Sequence, residues 1–228
     1  VLLPLFAALP LMVVKAGTTT IGVPFFGEMN FNLGAMSLPF VGPVEANLYI
    51  LLLIPMGVIA SSNLINLLAG FNGLEAGIGV IVSATLVIAL LITGSSSAAL
   101  FLAVAMGGAC LGFLLYNWYP AKIFPGNITT YAIGATVAAA VIIGNMEKIG
   151  VIALSPQIVE FFLKARTHFQ AENFGKIGRD GRLSYDGKIS SLTHLVMRYT
   201  HPTEQELVIY LLLLQAAAGA AAIASIYF

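Results

Sequence analysis

Three asparagines and a glutamate fall within one short run, Asn63-Leu-Ile-Asn66-Leu-Leu-Ala-Gly70-Phe-Asn72-Gly73-Leu-Glu75. Asn63 and Asn66 are three apart, so on a helix end they share a face. Their amide oxygens can accept donors from a polar ligand or ligate a hard cation. Gly70 and Gly73 permit a tight turn and let a ligand approach the backbone closely. The plainer alternatives are a turn at Asn72-Gly73 and helix-end capping by Asn66. The concentration of asparagines beside Glu75 favours a site.

A second polar run is Asn117-Trp118-Tyr119-Pro120-Ala-Lys122-Ile-Phe124-Pro125-Gly126-Asn127. Its two prolines break helices, and Phe124 between them is placed to stack on a planar base. An interfacial aromatic belt accounts for Trp118 and Tyr119 but accounts less well for Phe124. The third run, 164–202, holds seven of the ten basic residues and both aspartates, Asp180 and Asp186. Arg166 and His168 sit near the end of an apolar segment, where they could meet phosphates. Positive-inside charge and attraction to anionic headgroups explain most of the other basic residues. Asp180-Gly181 reads as a turn between two short polar strands. No P-loop, zinc spacing or nucleophile elbow is present. Gly77-Ile78-Gly79 lacks the third glycine and the preceding strand of a dinucleotide fingerprint.

The elements that must carry these runs are set by composition. Of 228 residues, 59% are hydrophobic and only 9% charged, with a mean hydropathy of +0.95. Soluble domains carry about 25% charged residues, so most of this surface must face lipid. The net charge of zero provides no basic field for nucleic acid. The single cysteine, Cys110, lies in an apolar run and reads as a packing residue.

A spanning helix needs about 20 mostly apolar residues. Seven segments are candidates: 1–14, 46–65, 74–92, 98–116, 128–143, 149–163 and 207–228. Segments 128–143 and 149–163 are short, and are read as tilted spans or as a re-entrant pair. The expected fold is an all-α membrane protein, one polytopic domain over 1–228. At about 1.5 Å per residue, segment 1–14 reaches only ~21 Å, and the chain opens with Val1. The true N-terminus is therefore expected upstream. A cleaved signal peptide fits poorly, because no basic n-region precedes the segment and no small-residue cleavage site follows it.

Lysine and arginine set the orientation. If the three polar runs share a side, that side carries eight basic residues and the other carries only Lys15 and Lys148, which puts the runs in the cytoplasm. Residues 16–45 then form an extracytoplasmic loop. Residues 18–23 and 29–33 are expected as strands of one small β-hairpin around Gly27-Glu28. Residues 164–203 form a basic cytoplasmic loop with short strands. The alanine-rich stretch 216–224 suits close helix packing.

The first two runs together closely resemble the polyprenyl-phosphate HexNAc-1-phosphate transferases. The form Asn66-Leu-Leu-Ala-Gly70-Phe-Asn72-Gly73-Leu-Glu75-Ala-Gly77 is nearer the dolichyl-phosphate GlcNAc-1-phosphotransferase branch of archaea and eukaryotes than the bacterial phospho-MurNAc-pentapeptide translocases. The short third run, with Asp180-Gly181-Arg182-Leu183, resembles the archaeal forms.

The resemblance implies about ten spans in the full protein and a cytoplasmic, Mg2+-dependent site, with Mn2+ as a substitute. It puts Asn66 on a metal ligand and Asn63 beside it as a catalytic neighbour. Gly70, Asn72, Glu75 and Phe124 fall on the nucleotide site, with Phe124 stacked on uracil. Arg166 and His168 align with the loop that grips the pyrophosphate or sugar. The implied partners are a UDP-sugar, a polyprenyl or dolichyl phosphate and the membrane, with a homodimer as one assembly.

Two departures matter. The family's Asp-Asp motif is expected in a segment upstream of this chain. Asn127 also stands where the family usually has a metal-binding aspartate, which removes one unit of negative charge from a site where magnesium favours carboxylates. The expected reaction transfers a HexNAc-1-phosphate, by family default GlcNAc-1-phosphate, to the lipid and releases UMP. This would be the first membrane step of N-glycosylation-type glycan-lipid assembly, in an archaeal cell membrane or an ER membrane. A non-catalytic relative and a membrane transporter are the alternatives. A transporter predicts polar residues near the bilayer midplane, whereas these collect at one surface.

Overall fold

The structure, a computed structural model, describes residues 2–23, 27–38 and 42–228. It is mostly helical. Among the described residues, five helical stretches are long and apolar enough to cross a membrane: Tyr49–Leu67, Leu74–Thr93, Ser97–Asn117, Gly126–Ile143 and Glu204–Tyr227. The first opens with a π-helical turn, Tyr49–Leu53, and continues as α2 (Ile54–Leu67). The Asn47 side chain accepts the Tyr49 and Ile50 amides at its start. The others are α3 (Leu74–Thr93), α4 (Ser97–Asn117), α5 (Gly126–Ile143) and α9 (Glu204–Ala224). A capping box between Thr203 and Glu206 fixes the start of α9, satisfying amides that have no partner inside the helix.

Among the described residues, two of the seven expected segments hold no single helix of spanning length. Segment 1–14 holds only α1 (Leu5–Val13), nine residues with Pro10 inside. Segment 149–163 is divided into α6 (Glu147–Ala153) and α7 (Ser155–Ala165). Pro156 lacks an amide hydrogen, and its ring crowds the preceding turn, so the helix breaks at Leu154. The break is satisfied from α9, where Gln215 donates to the Ala153 carbonyl at 2.7 Å and accepts from Gln157 at 2.6 Å. Segment 128–143, in contrast, reaches 18 residues once Gly126 and Asn127 join it.

The expected single hairpin is two. β1 (Thr20–Val23) pairs antiparallel with β2 (Gly27–Asn30), and β3 (Asn32–Leu38) pairs with β4 (Gly42–Asn47). Gly27 and Glu28 are therefore strand residues, opposite Val23 and Gly22, and both turns lie outside the described residues. The strands around Asp180-Gly181 do form, as β5 (Lys176–Ile177) and β6 (Leu183–Ser184), with the Gly178 amide bonded to the Arg182 carbonyl. The run 164–203 also holds a helix that was not expected, α8 (Leu192–Thr200).

α3 is the centre of the bundle, packed against α4 and α9, while α2 lies along α5. Leu74, Ile78, Val82 and Leu86 of α3 share a core with Ile133 and Val137 of α5 and with Leu207 and Leu211 of α9. Small residues permit the close crossings. Gly134 of α5 lies against the Ser62 backbone, and Gly219 of the alanine-rich stretch lies against Thr85. α4 keeps Phe101, Val104, Leu111 and Leu115 exposed, as a lipid-facing helix would.

Candidate functional site

The segment between α2 and α3 is held almost entirely by side chains from elsewhere. Leu67 ends α2, Leu68 has left helical geometry, and Gly70 and Gly73 take φ of 108° and 85°. These backbone angles suit glycine and strain other residues. The Leu67 carbonyl accepts from Lys164 Nζ at 2.6 Å and from Asn173 Nδ2 at 3.0 Å, and the Ala69 carbonyl accepts from Asn173 Nδ2 at 2.7 Å. The Gly70 amide donates to Glu75 Oε1 at 2.8 Å, the Asn72 amide to Glu204 Oε1 at 2.9 Å, and the Gly73 amide to Asn117 Oδ1 at 3.2 Å. The C-terminal ends of α2, α4 and α7 and the N-terminal ends of α3 and α9 are thereby drawn to one end of the bundle.

α5 joins them through Thr130. Its hydroxyl lies 2.8 Å from Asn66 Oδ1 and 3.0 Å from the Asn127 carbonyl. The buried hydroxyl thus links the Asn66 side chain to the backbone of Asn127, 61 positions away by their numbering. Asn117, which holds the Gly73 amide, also donates from Nδ2 to the carbonyl of Ile123, the residue before Phe124, at 2.9 Å. The Phe124 ring is 67% exposed, open to a planar ligand. Asn63, one turn before Asn66, donates to the Ile59 carbonyl at 2.7 Å. Arg166 caps α7 and His168 follows it with φ of 52°. Both are exposed and are not drawn into the bonded motif, although Lys164 on the same helix is.

Two buried acceptors, Asn72 Oδ1 in this segment and Glu75 Oε2 in the first turn of α3, have no partner. Buried polar atoms are nearly always satisfied, so both oxygens suit a ligand that brings donors.

The metal expectation meets a neutral donor set. Among the described residues no group of three or more His, Cys, Asp and Glu side chains could hold a metal ion. Asp186 faces Lys176 at 3.7 Å on the exposed hairpin. Asn66 and Asn127 offer amide oxygens without a carboxylate, and by themselves do not make up a magnesium site.

The profile of glycosyl transferase family 4 matches residues 1–145. The chain belongs to this family. A Dictyostelium discoideum relative, UDP-N-acetylglucosamine–dolichyl-phosphate N-acetylglucosaminephosphotransferase, is 30% identical over 94% of this chain and 58% of its own length. A Saccharolobus solfataricus protein provisionally given the same name is 40% identical over 92% of this chain and 61% of its own. A phospho-N-acetylmuramoyl-pentapeptide-transferase of Thermodesulfovibrio yellowstonii is 33% identical over 57% of this chain and 36% of its own. The chain spans about three fifths of the length of the first two. Within family 4, its similarity to the dolichyl-phosphate branch extends further along the chain than its similarity to the bacterial translocases.

Sequence reasoning did not single out Thr130, Asn173, Lys164 or Glu204. Lys164 and Glu204 look like ordinary loop charges, and Thr130 sits in an apolar helix. Only their burial or their bonds to a distant backbone reveal them.

Proposed function

We propose that this chain forms the greater part of a membrane enzyme that transfers a HexNAc-1-phosphate, GlcNAc-1-phosphate first among candidates, from a UDP-sugar to a polyprenyl or dolichyl phosphate, releasing UMP. The observation that carries the reading is the segment 67–73. It is fixed by side chains of four helices and the loop residue Asn173, and two buried acceptors in and beside it, Asn72 Oδ1 and Glu75 Oε2, stay unpartnered next to Asn66 and Thr130. That arrangement suits a nucleotide with its own donors, held next to a phosphate-binding point. The family membership and the names of the relatives support the same chemistry.

In this reading the polar end faces the cytoplasm, 16–45 lies outside, and 164–203 is the basic inner loop. A lipid phosphate oxygen attacks the β-phosphorus of the donor, the bond to the UMP oxygen breaks, and UMP leaves with that electron pair. Phe124 stacks on the uracil, and Asn72 and Gly70 hold its edge and ribose. Glu75 keeps the Gly70 amide in place. Arg166 and His168 swing onto the pyrophosphate or sugar, where a guanidinium adds charge-assisted hydrogen bonds to developing charge. Asn63 and Asn66 orient the reacting phosphates. Asn66 and Asn127 would each offer an amide oxygen to Mg2+ (or Mn2+). Bound there, the ion would neutralise phosphate charge. The neutral donor set gives a non-catalytic relative as the second reading.

Radiolabelled UMP exchange by the purified full-length protein, with and without magnesium, tests the proposal. Exchange that requires the lipid phosphate is expected. A protein that shows neither exchange nor UDP-sugar binding removes the proposal.

A further inference from the structure

We infer that Lys164 and Asn173 are positioning residues that couple the third polar loop to the segment 67–73 and set its affinity for the nucleotide. The inference rests on the proposed role of that segment in holding the donor. Lys164 and Asn173 are each only 7% exposed, although both lie in or beside a loop of otherwise solvated residues. Asn173 spends its amide on two carbonyls, Leu67 and Ala69, and Lys164 takes the second lone pair of Leu67. Leu67 directly follows Asn66, and Ala69 directly precedes Gly70. The two donors thus fix both ends of the turn that separates the phosphate-side asparagine from the nucleotide-side glycine.

Each donor is itself aimed. Ser191 Oγ donates to Asn173 Oδ1 at 3.2 Å, and Thr193 Oγ1 donates to the Asn173 carbonyl at 2.7 Å. Lys164 faces Glu160, which is fully buried, at 3.5 Å. The other oxygen of Glu160 accepts the Leu192 amide at 2.7 Å at the start of α8. The network therefore runs from α8 through Glu160 and Asn173 to the motif backbone.

The bland alternative is capping of α2. Helix-end carbonyls can be satisfied by water, by a tightened last turn or by one local side chain. A buried lysine–glutamate pair is a costly cap, because desolvation of both charges offsets much of their attraction. Such a pair is better suited to fixing geometry than to adding stability.

The test measures UMP affinity by calorimetry, and KM and kcat for UDP-GlcNAc and for the lipid phosphate, in the full-length protein. Asn173→Ala is expected to weaken UMP binding and raise the UDP-sugar KM by about tenfold, with kcat and the lipid KM changed by less than about twofold. Removing one charge of the buried pair risks misfolding, so Lys164 is removed together with its partner as Glu160→Gln/Lys164→Met, which should show the same split. Lys164→Arg, which keeps a donor, should stay near the parent. Variants that bind UMP with parental affinity and KM overturn the inference. So does a uniform loss of kcat and both affinities alongside a lowered melting temperature, the pattern of a purely structural role. A parent that neither exchanges nor binds UDP-sugar removes the proposed function instead, and this inference with it.

Discussion

The side-chain oxygen of Asn117 accepts the backbone amide of Gly73, 44 positions earlier in the chain, at 3.2 Å. The other half of the same buried amide donates to the Ile123 carbonyl, the residue before Phe124. One side chain thus ties the asparagine segment to the aromatic loop, and Trp118 reinforces it. A Cβ added at Gly73 would lie 2.7 Å from the Trp118 ring. The two polar runs, far apart in the chain, behave as one site because this residue fixes their separation.

Asn117→Ala leaves the Gly73 amide and the Ile123 carbonyl without partners. The Gly73 bond is buried, and an unsatisfied buried group costs about 1–3 kcal/mol, so a clear fall in melting temperature in detergent is expected, together with weaker UMP binding. Gly73→Ala should destabilise by a comparable ~1–3 kcal/mol, since it combines a left-handed backbone with the tryptophan contact. Parental stability in both variants would show that the two loops are held independently.

Phe124→Ala separates binding from stability. The ring is exposed, and surface substitutions of this kind usually change stability by less than ~0.5 kcal/mol. Base–aromatic stacking contributes about 1–3 kcal/mol. The expected outcome is an unchanged melting temperature with UMP affinity lowered roughly 5- to 150-fold. Unchanged affinity would remove Phe124 from the nucleotide site.

Much of this arrangement was legible in the sequence. The five long apolar stretches, and the gathering of asparagines at their ends, followed from the cost of burying polar groups in lipid. The turn at Asp180-Gly181 followed from local backbone chemistry. What escaped was set by tertiary contacts. The break between α6 and α7 depends on Gln215, 62 positions beyond the carbonyl it satisfies, and hydropathy alone merges the two helices into one span. Gly27-Glu28 carries a turn signal but pairs within a strand, because register is decided by both partners rather than by a dipeptide. Lys164 resembles every other inner-leaflet cation until its burial is seen.

Asn127→Asp tests the neutral donor set. Asn127 is exposed in the first turn of α5, where a negative charge is stabilising by about 0.3–1 kcal/mol. The substitution should therefore fold at least as well as the parent. If residue 127 holds the metal as proposed, a carboxylate there supplies the charge that magnesium favours, so half-maximal exchange should need less Mg2+, with higher turnover at limiting metal. An unchanged magnesium dependence would place the metal elsewhere.

Acid should loosen the third loop through His194. Its ring stacks on Tyr185 with centroids 3.6 Å apart and planes 6° apart, and its Nδ1 accepts the Ser190 amide at 3.4 Å. Burial, the largest influence, pushes its pKa below the ordinary histidine range, and the nearby Lys164 ammonium adds to this, while the backbone carbonyls of Glu172 and Phe174 oppose it. The folded chain therefore holds the imidazole neutral, whereas the unfolded chain takes up a proton near pH 6.5. The stability tied to neutral His194 is fully present above that pH and is lost as the pH falls towards the lowered folded value. Melting temperature should drop between pH 7.5 and 5 more steeply in the parent than in His194→Gln, with amide exchange in 185–194 rising first. Equal pH slopes in the two proteins would clear His194 of this role.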